Sequence, residues 1–217
     1  MNSRRDLLIG AAAPLLLAWP ARAAAPSCVP APKLKANLCR TFVDGRNAYQ
    51  ETDQASHDPR AIWIACVAVV FAIKGHVVQQ RRVLAEAYGN LGQIPVDAGF
   101  AVALPLARTW TDDDGIGFRT SAESVFDDGA PGSAFDPKPL IGAIADGDPL
   151  ILINNEHPVV LTALAYTATD VPGRLVAGFV YDPMPMVGPR PLDADEVVPN
   201  SAGGDLLLAV RVRLEKL

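Results

Sequence analysis

One long apolar segment constrains the fold of this chain more than any other feature. Residues 61–74, AIWIACVAVVFAIK, are apolar on every face of a helix over about four turns, and Gly75, a residue type that commonly ends helices, follows them. A helix that is apolar all round must be buried on all sides. We therefore expect a buried central helix, with His76 directly after it in a cap or at the surface.

The pattern after this helix changes from helical to extended. The predicted elements are an amphipathic helix over 77–88, a hairpin over 109–119, a short helix over 139–145, and strands over 150–154, 158–166, 175–181 and 206–212. The Pro-rich stretch 183–191 is interpreted as a surface loop. Helices followed by an antiparallel sheet indicate an α+β fold with two packed lobes.

The first 25 residues have the features of an export signal. Arg4 and Arg5 precede an apolar stretch over 7–19, and a small-x-small motif ends at Ala23. These features predict a twin-arginine signal that is cleaved after Ala23 or Ala25, and hence a periplasmic or secreted protein. A retained membrane anchor is the alternative, but the apolar stretch is shorter than the roughly 20 residues that a membrane-spanning helix needs.

Cleavage would leave residues 26–217, which we predict to form one domain with a loosely ordered N-terminal arm over 26–48. Export allows disulfides, and Cys28 and Cys39 flank a short loop in that arm, so we expect them to pair. Two unpaired thiols are the alternative, because sequence alone does not fix connectivity. Cys66 is the remaining cysteine, and the absence of C-x-x-C spacing excludes zinc-ribbon and thioredoxin-type proteins.

The net charge argues against a nucleic-acid partner. The 217 residues include 19 Lys and Arg against 24 Asp and Glu, for a net charge of −5, and no basic block occurs. Removal of residues 1–25 would take away three of those basic and one of those acidic residues, so the charge would become −7. We find no metal-ligand spacing and no Gly-rich phosphate loop, so we predict neither a metal nor a cofactor, and no membrane contact after cleavage.

Four parts of the chain carry motifs that occur together, in this order, in one known family. They are 63–81 (WIAC, an apolar helix, then GHVVQQR), 110–118 (WTDDDGIGF), 156–163 (EHPVVLTA) and 180–185 (VYDPMP). Together they resemble bacterial papain-like cysteine peptidases of the bacteriocin-leader-peptidase-like group. The resemblance implies a papain-like fold, with a buried central helix packed on an antiparallel sheet.

The resemblance also implies a role for individual residues. His157 matches the catalytic histidine of the family, and Asp182 matches the residue that orients its ring. Trp63 matches the residue directly after the nucleophile, so Ile62 stands where the family has its cysteine. Cys66 matches a later Cys or Ser of the same motif.

Cys66 is poorly placed to replace the missing nucleophile. Four residues along a helix move it about 6 Å from position 62, whereas a nucleophile and its base need a contact of roughly 2.6–3.2 Å. It also lies beyond the first turn, where the helix dipole stabilises a thiolate. We therefore expect Cys66 to be a core residue. Gln54 is the candidate for the glutamine that binds the oxyanion in the family.

Three functions remain open from the sequence. The first, which we favour, is an inactive peptidase homologue that binds a peptide or protein in the former cleft. The second is an active thiol peptidase that uses Cys66 with His157 and Asp182. The third is a non-catalytic structural or accessory protein of the cell envelope, in which the fold is only a scaffold.

Overall fold

The computed structural model describes residues 26–45, 48, 58–95, 99–168 and 174–217, so the predicted export signal lies outside the described residues. Within these ranges the chain forms three α-helices and nine β-strands, the α+β class that the sequence predicts. The helices are α1 (Pro59–Ile73), α2 (Gln80–Ala87) and α3 (Lys138–Ala145). The strands are β1 (Ser27–Ala31), β2 (Ala36–Phe42), β3 (Thr109–Thr111), β4 (Gly117–Asp127), β5 (Leu150–Asn154), β6 (Val159–Ala168), β7 (Leu175–Asp182), β8 (Gly188–Pro191) and β9 (Leu206–Lys216).

Helix α1 is the apolar helix that the sequence predicts, and residues 62–71 are all buried. Asp58 caps its start, because the side chain accepts a hydrogen bond of 2.9 Å from the Arg60 amide. Gly75 ends the turn that follows with φ +88°, a conformation that glycine adopts without strain. In the part of the chain described above, no helix has the length and apolar character needed to cross a membrane.

The nine strands belong to one sheet in which every strand pair is antiparallel. Its order is β8-β7-β6-β5-β9-β4-β3, and the β1–β2 hairpin joins at β6. One edge of β6 pairs with β7, so β5 and β2 share the other edge. The first half of β6 pairs with β5 and the second half with β2. The loop between β5 and β6 therefore lies at one end of two inner strands of the sheet.

The sheet separates two apolar cores. Along β5, Ile151 belongs to the core that surrounds α1, whereas Leu150 and Leu152 belong to the core that surrounds α3. This alternation follows from the two-residue period of a strand. Helix α1 packs against β5, β6 and α2, and helix α3 packs against β2, β5 and β6. The two helices therefore cover opposite faces of the sheet.

The expectation of a loosely ordered arm over 26–48 is wrong for strands β1 and β2. These strands form a hairpin, and β2 pairs with β6 along six residues. Cys28 and Cys39 face each other across the hairpin and are joined by a disulfide. Cys39 and Phe42 are buried, so strand β2 of the hairpin is packed as part of the folded domain.

His76 is buried against the turn between β3 and β4, contrary to the expectation of a cap or surface position. Its Nδ1 lies 2.9 Å from Oδ2 of Asp112, and its ring stacks on Phe118 with centroids 4.2 Å apart. The other oxygen of Asp112 accepts hydrogen bonds from the amides of Asp114 and Ile116. This single carboxylate therefore holds the Asp-rich turn and attaches it to the chain after α1.

Candidate functional site

The structure brings His157 and Asp182 together, although 25 residues separate them in the sequence. His157 lies in the loop before β6, and Asp182 is the last residue of β7. Val160 of β6 pairs with Tyr181 of β7, so the end of β7 lies beside the start of β6. As a result, Nε2 of His157 is 2.9 Å from Oδ2 of Asp182. A carboxylate in this position fixes the orientation of an imidazole ring.

Asp182 is a buried carboxylate that receives three hydrogen bonds. Besides His157, the Met184 amide donates to Oδ1 at 3.0 Å, and Nε of Arg190 donates to Oδ2 at 3.1 Å. Burial alone would raise the pKa of Asp182, but these hydrogen bonds, with that of His157 first among them, outweigh it and hold the pKa below its usual value. Asp182 is therefore ionised at neutral pH.

Arg190 links Asp182 to a second buried carboxylate, Glu196. Its Nη1 and Nη2 donate to the two oxygens of Glu196, each at 2.7 Å. Glu196 also accepts from the Asp193 amide at 2.8 Å and from Nδ2 of Asn154 at 3.2 Å. The hydrogen bonds to Glu196 are the main reason why the pKa of Arg190 is raised. Motif matching missed Arg190, Glu196 and Asn154, because no motif contains them.

Cys66 lies inside the core, where its thiol is hydrogen-bonded to a backbone carbonyl and not to the imidazole. Its side chain is fully buried, and its Sγ donates a hydrogen bond to the Pro158 carbonyl oxygen at 3.4 Å. Burial, and secondly the negative charge of Asp182, raise the pKa of this thiol well above its usual value. A thiol in these surroundings stays protonated and out of contact with solvent.

Ile62 is the fourth residue of α1, one helical turn before Cys66 and on the same helix face. It is 1% exposed, and its side chain has no group that could act as a nucleophile. Gln54, the candidate for binding the oxyanion, lies outside the described residues. Of the predicted site residues, the structure therefore joins His157 and Asp182 in a hydrogen bond, whereas the thiol of Cys66 is hydrogen-bonded to the Pro158 carbonyl.

A cleft of about 630 Å³ opens beside His157. Its apolar walls are Pro59, Trp63, Ile94, Pro95, Val102, Ile153, Pro158, Leu207 and Leu208. Trp63 is fixed, because its Nε1 donates to the Tyr88 hydroxyl at 2.9 Å, which in turn donates to the Val102 carbonyl at 2.6 Å. Burial raises the pKa of Tyr88 to about 12, so this hydroxyl remains a donor. Size and lining fit a ligand site.

A pocket of about 370 Å³ adjoins the cleft, and Asn154, Glu156 and His157 line both. We call it the acidic side pocket. Its remaining wall residues are Arg190, Asp193, Ala194, Asp195, Glu196 and Asp205. Among the described residues, no cluster of three or more His, Cys, Asp or Glu side chains is arranged to hold a metal ion.

The described residues therefore supply a histidine–aspartate pair without a partner nucleophile. None of the described residues that line the cleft or the acidic side pocket is a cysteine, serine or threonine. In comparisons with known proteins, no family model, curated protein or solved structure matches this chain. The chemistry of the site is therefore argued from its own residues.

Proposed function

We propose that this chain is an exported protein of papain-like fold that lacks thiol peptidase activity and binds a peptide or protein segment in its cleft. One observation carries the proposal. His157, which is paired with Asp182, lines an open cleft. The only free thiol, that of Cys66, is buried and hydrogen-bonded to the Pro158 carbonyl. A histidine can activate a nucleophile only when the two are within hydrogen-bond reach.

The placement of the elements supports a papain-like origin. A buried helix carries position 62 in its first turn and packs against β5 and β6, the strands on either side of the histidine loop. The histidine precedes β6, and the aspartate ends β7, which is the arrangement that the sequence resemblance implies. Removing the nucleophile from a catalytic triad costs about a million-fold in turnover. His157 and Asp182 alone would therefore not sustain peptidase turnover.

The cleft favours a binding function over a purely structural one. A concave apolar surface with a few convergent polar groups is the usual form of a ligand site, and this cleft joins apolar walls to the polar side chains of Asn154, Asn155 and His157. An active peptidase based on Cys66 is disfavoured by the burial of its thiol. Thiol labelling and peptide binding test these two points separately.

Cys66 should be inert in the native protein. We expect no labelling by iodoacetamide or Ellman's reagent at pH 8 and no cleavage of casein, because the thiol is buried and its pKa is raised. The same thiol should label stoichiometrically after unfolding in guanidinium, which serves as the control for reagent and protein. Casein cleavage that is abolished by Cys66→Ser would overturn the proposed loss of activity.

A bulky side chain in the cleft should prevent peptide binding. Gly129 lines the cleft and leaves ordinary van der Waals space for a Cβ, so Gly129→Trp should block it without backbone strain. We would select binders from a phage-displayed library of random dodecapeptides and measure their affinity for both forms. Gly142→Trp, on α3 across the sheet, is the matched control, because a Cβ there meets open space. Peptides that bind wild type and Gly129→Trp equally would contradict a role for the cleft.

A further inference from the structure

We propose that the acidic side pocket receives a lysine or arginine side chain of the peptide bound in the cleft. This inference rests on the proposed binding function and specifies its ligand. Two independent observations carry it: the charge of the pocket walls, and one buried polar atom that has no hydrogen-bond donor among the described residues.

The walls of the pocket carry far more negative than positive charge. Five carboxylates, those of Glu156, Asp193, Asp195, Glu196 and Asp205, face one guanidinium, that of Arg190, so the formal charge is −4 when His157 is neutral. Like charges that line a concavity of low dielectric focus the field and raise the local concentration of cations. The pocket therefore selects a positively charged group.

The positive charge of Arg190 is already balanced within the protein. Its guanidinium makes a bidentate contact with Glu196 and a third hydrogen bond to Asp182, which is outside the pocket. By contrast, the side chains of Glu156 and Asp195 have no hydrogen bond or ion pair with any described residue. Glu156 stands at the junction of pocket and cleft, where a side chain would enter from a peptide.

Asn154 supplies the second observation. It is 6% exposed and lines both the cleft and the pocket. Its Nδ2 donates to Glu196, which fixes the orientation of the amide, and its Oδ1 is buried without a hydrogen-bond partner among the described residues. An amide oxygen only accepts hydrogen bonds, so the ligand group that it fits is a donor. Ammonium and guanidinium groups are donors and cations at once.

The size of the pocket favours a side chain over a metal ion. A volume of about 370 Å³ is large for a single ion. The carboxylates also do not converge, because no group of three or more among the described residues can hold a metal. The adjoining cleft offers the space for the backbone of the same peptide.

Binding of two small probes tests this assignment. We would titrate the ¹⁵N-labelled protein with Nα-acetyl-lysine methylamide and with Nα-acetyl-norleucine methylamide, which lacks only the ammonium group. The lysine probe should shift the amide signals of residues 154–157 and 193–196 and bind about tenfold more tightly than the norleucine probe. Glu156→Gln should weaken the lysine probe about three- to fivefold, as the loss of one exposed charge pair would. Asn154→Leu should weaken it as well, because the acceptor is removed.

Glu215→Gln is the matched control, since Glu215 is exposed near the far end of β9, about 30 Å along the strand from Leu206. Equal affinity for the two probes, shifts scattered over the acidic surface, or unchanged binding to Glu156→Gln would each overturn the pocket assignment. Norleucine binding in the cleft at equal strength would leave the proposed peptide binding in place. Casein cleavage dependent on Cys66 would overturn the proposed function instead, and the probe shifts would still decide the pocket.

Discussion

Arg190→Met should lower the free energy of unfolding by about 3 kcal/mol, the range found when one partner of a buried ion pair is removed. Arg190 donates two hydrogen bonds to Glu196 and one to Asp182, and both carboxylates are buried. Without the guanidinium, two negative charges would remain in the protein interior with no shared cation. We take the low end of the range because the Arg190 side chain is 22% exposed to solvent. Urea denaturation at pH 7 measures the change.

Two further variants separate this effect from a general loss of packing. Arg213→Met removes an arginine that pairs with Glu123 on the open sheet surface, where both side chains are about half exposed, so it should cost at most about 1 kcal/mol. Adding Glu196→Gln to Arg190→Met should recover part of the loss, because one of the two unpaired charges is removed. If Arg190→Met is as mild as Arg213→Met, the buried network does not stabilise the fold as described.

The sequence predicts the elements whose signal is local. Helix α1 follows from an apolar run that ends at a glycine, and the pairing of β3 with β4 follows from the Asp-rich turn between them. The sequence analysis did not predict strand β8, because Pro189 and Pro191 are typical of a loop. Proline is tolerated there because β8 pairs on one side only.

The same distinction applies to the candidate site. His157 and Asp182 stand out because short motifs resemble those of a known family, and the structure places them in contact. Arg190, Glu196 and Asn154 gain their roles only when β8, the segment 195–197 and the end of β5 meet in space. No spacing along the chain signals that meeting, since each residue is an ordinary surface type in its own segment. The roles of these three residues therefore depend on the tertiary structure and could not be predicted from local sequence patterns.

Ile62→Cys should create a reactive thiol if position 62 is the former nucleophile position. The first turn of α1 and the imidazole of His157 would both stabilise a thiolate there. Pro59, three residues earlier on the same helix face, lines the cleft. Cysteine is smaller than isoleucine, so the substitution leaves space beside Pro59. In a Cys66→Ala background the new thiol is the only free one, because Cys28 and Cys39 form a disulfide.

Ile64→Cys in the same background is the matched control, since Ile64 is also buried on α1 but lies on a different face. A pKa lowered by about two units raises the thiolate fraction at pH 6, and after the accompanying loss of nucleophilicity the alkylation rate should still rise about tenfold. Iodoacetamide labelling of Ile62→Cys should therefore be at least about tenfold faster than that of Ile64→Cys, and adding His157→Ala should reduce the advantage. Equal rates at positions 62 and 64 would place the lost nucleophile elsewhere and would contradict the register set by Trp63.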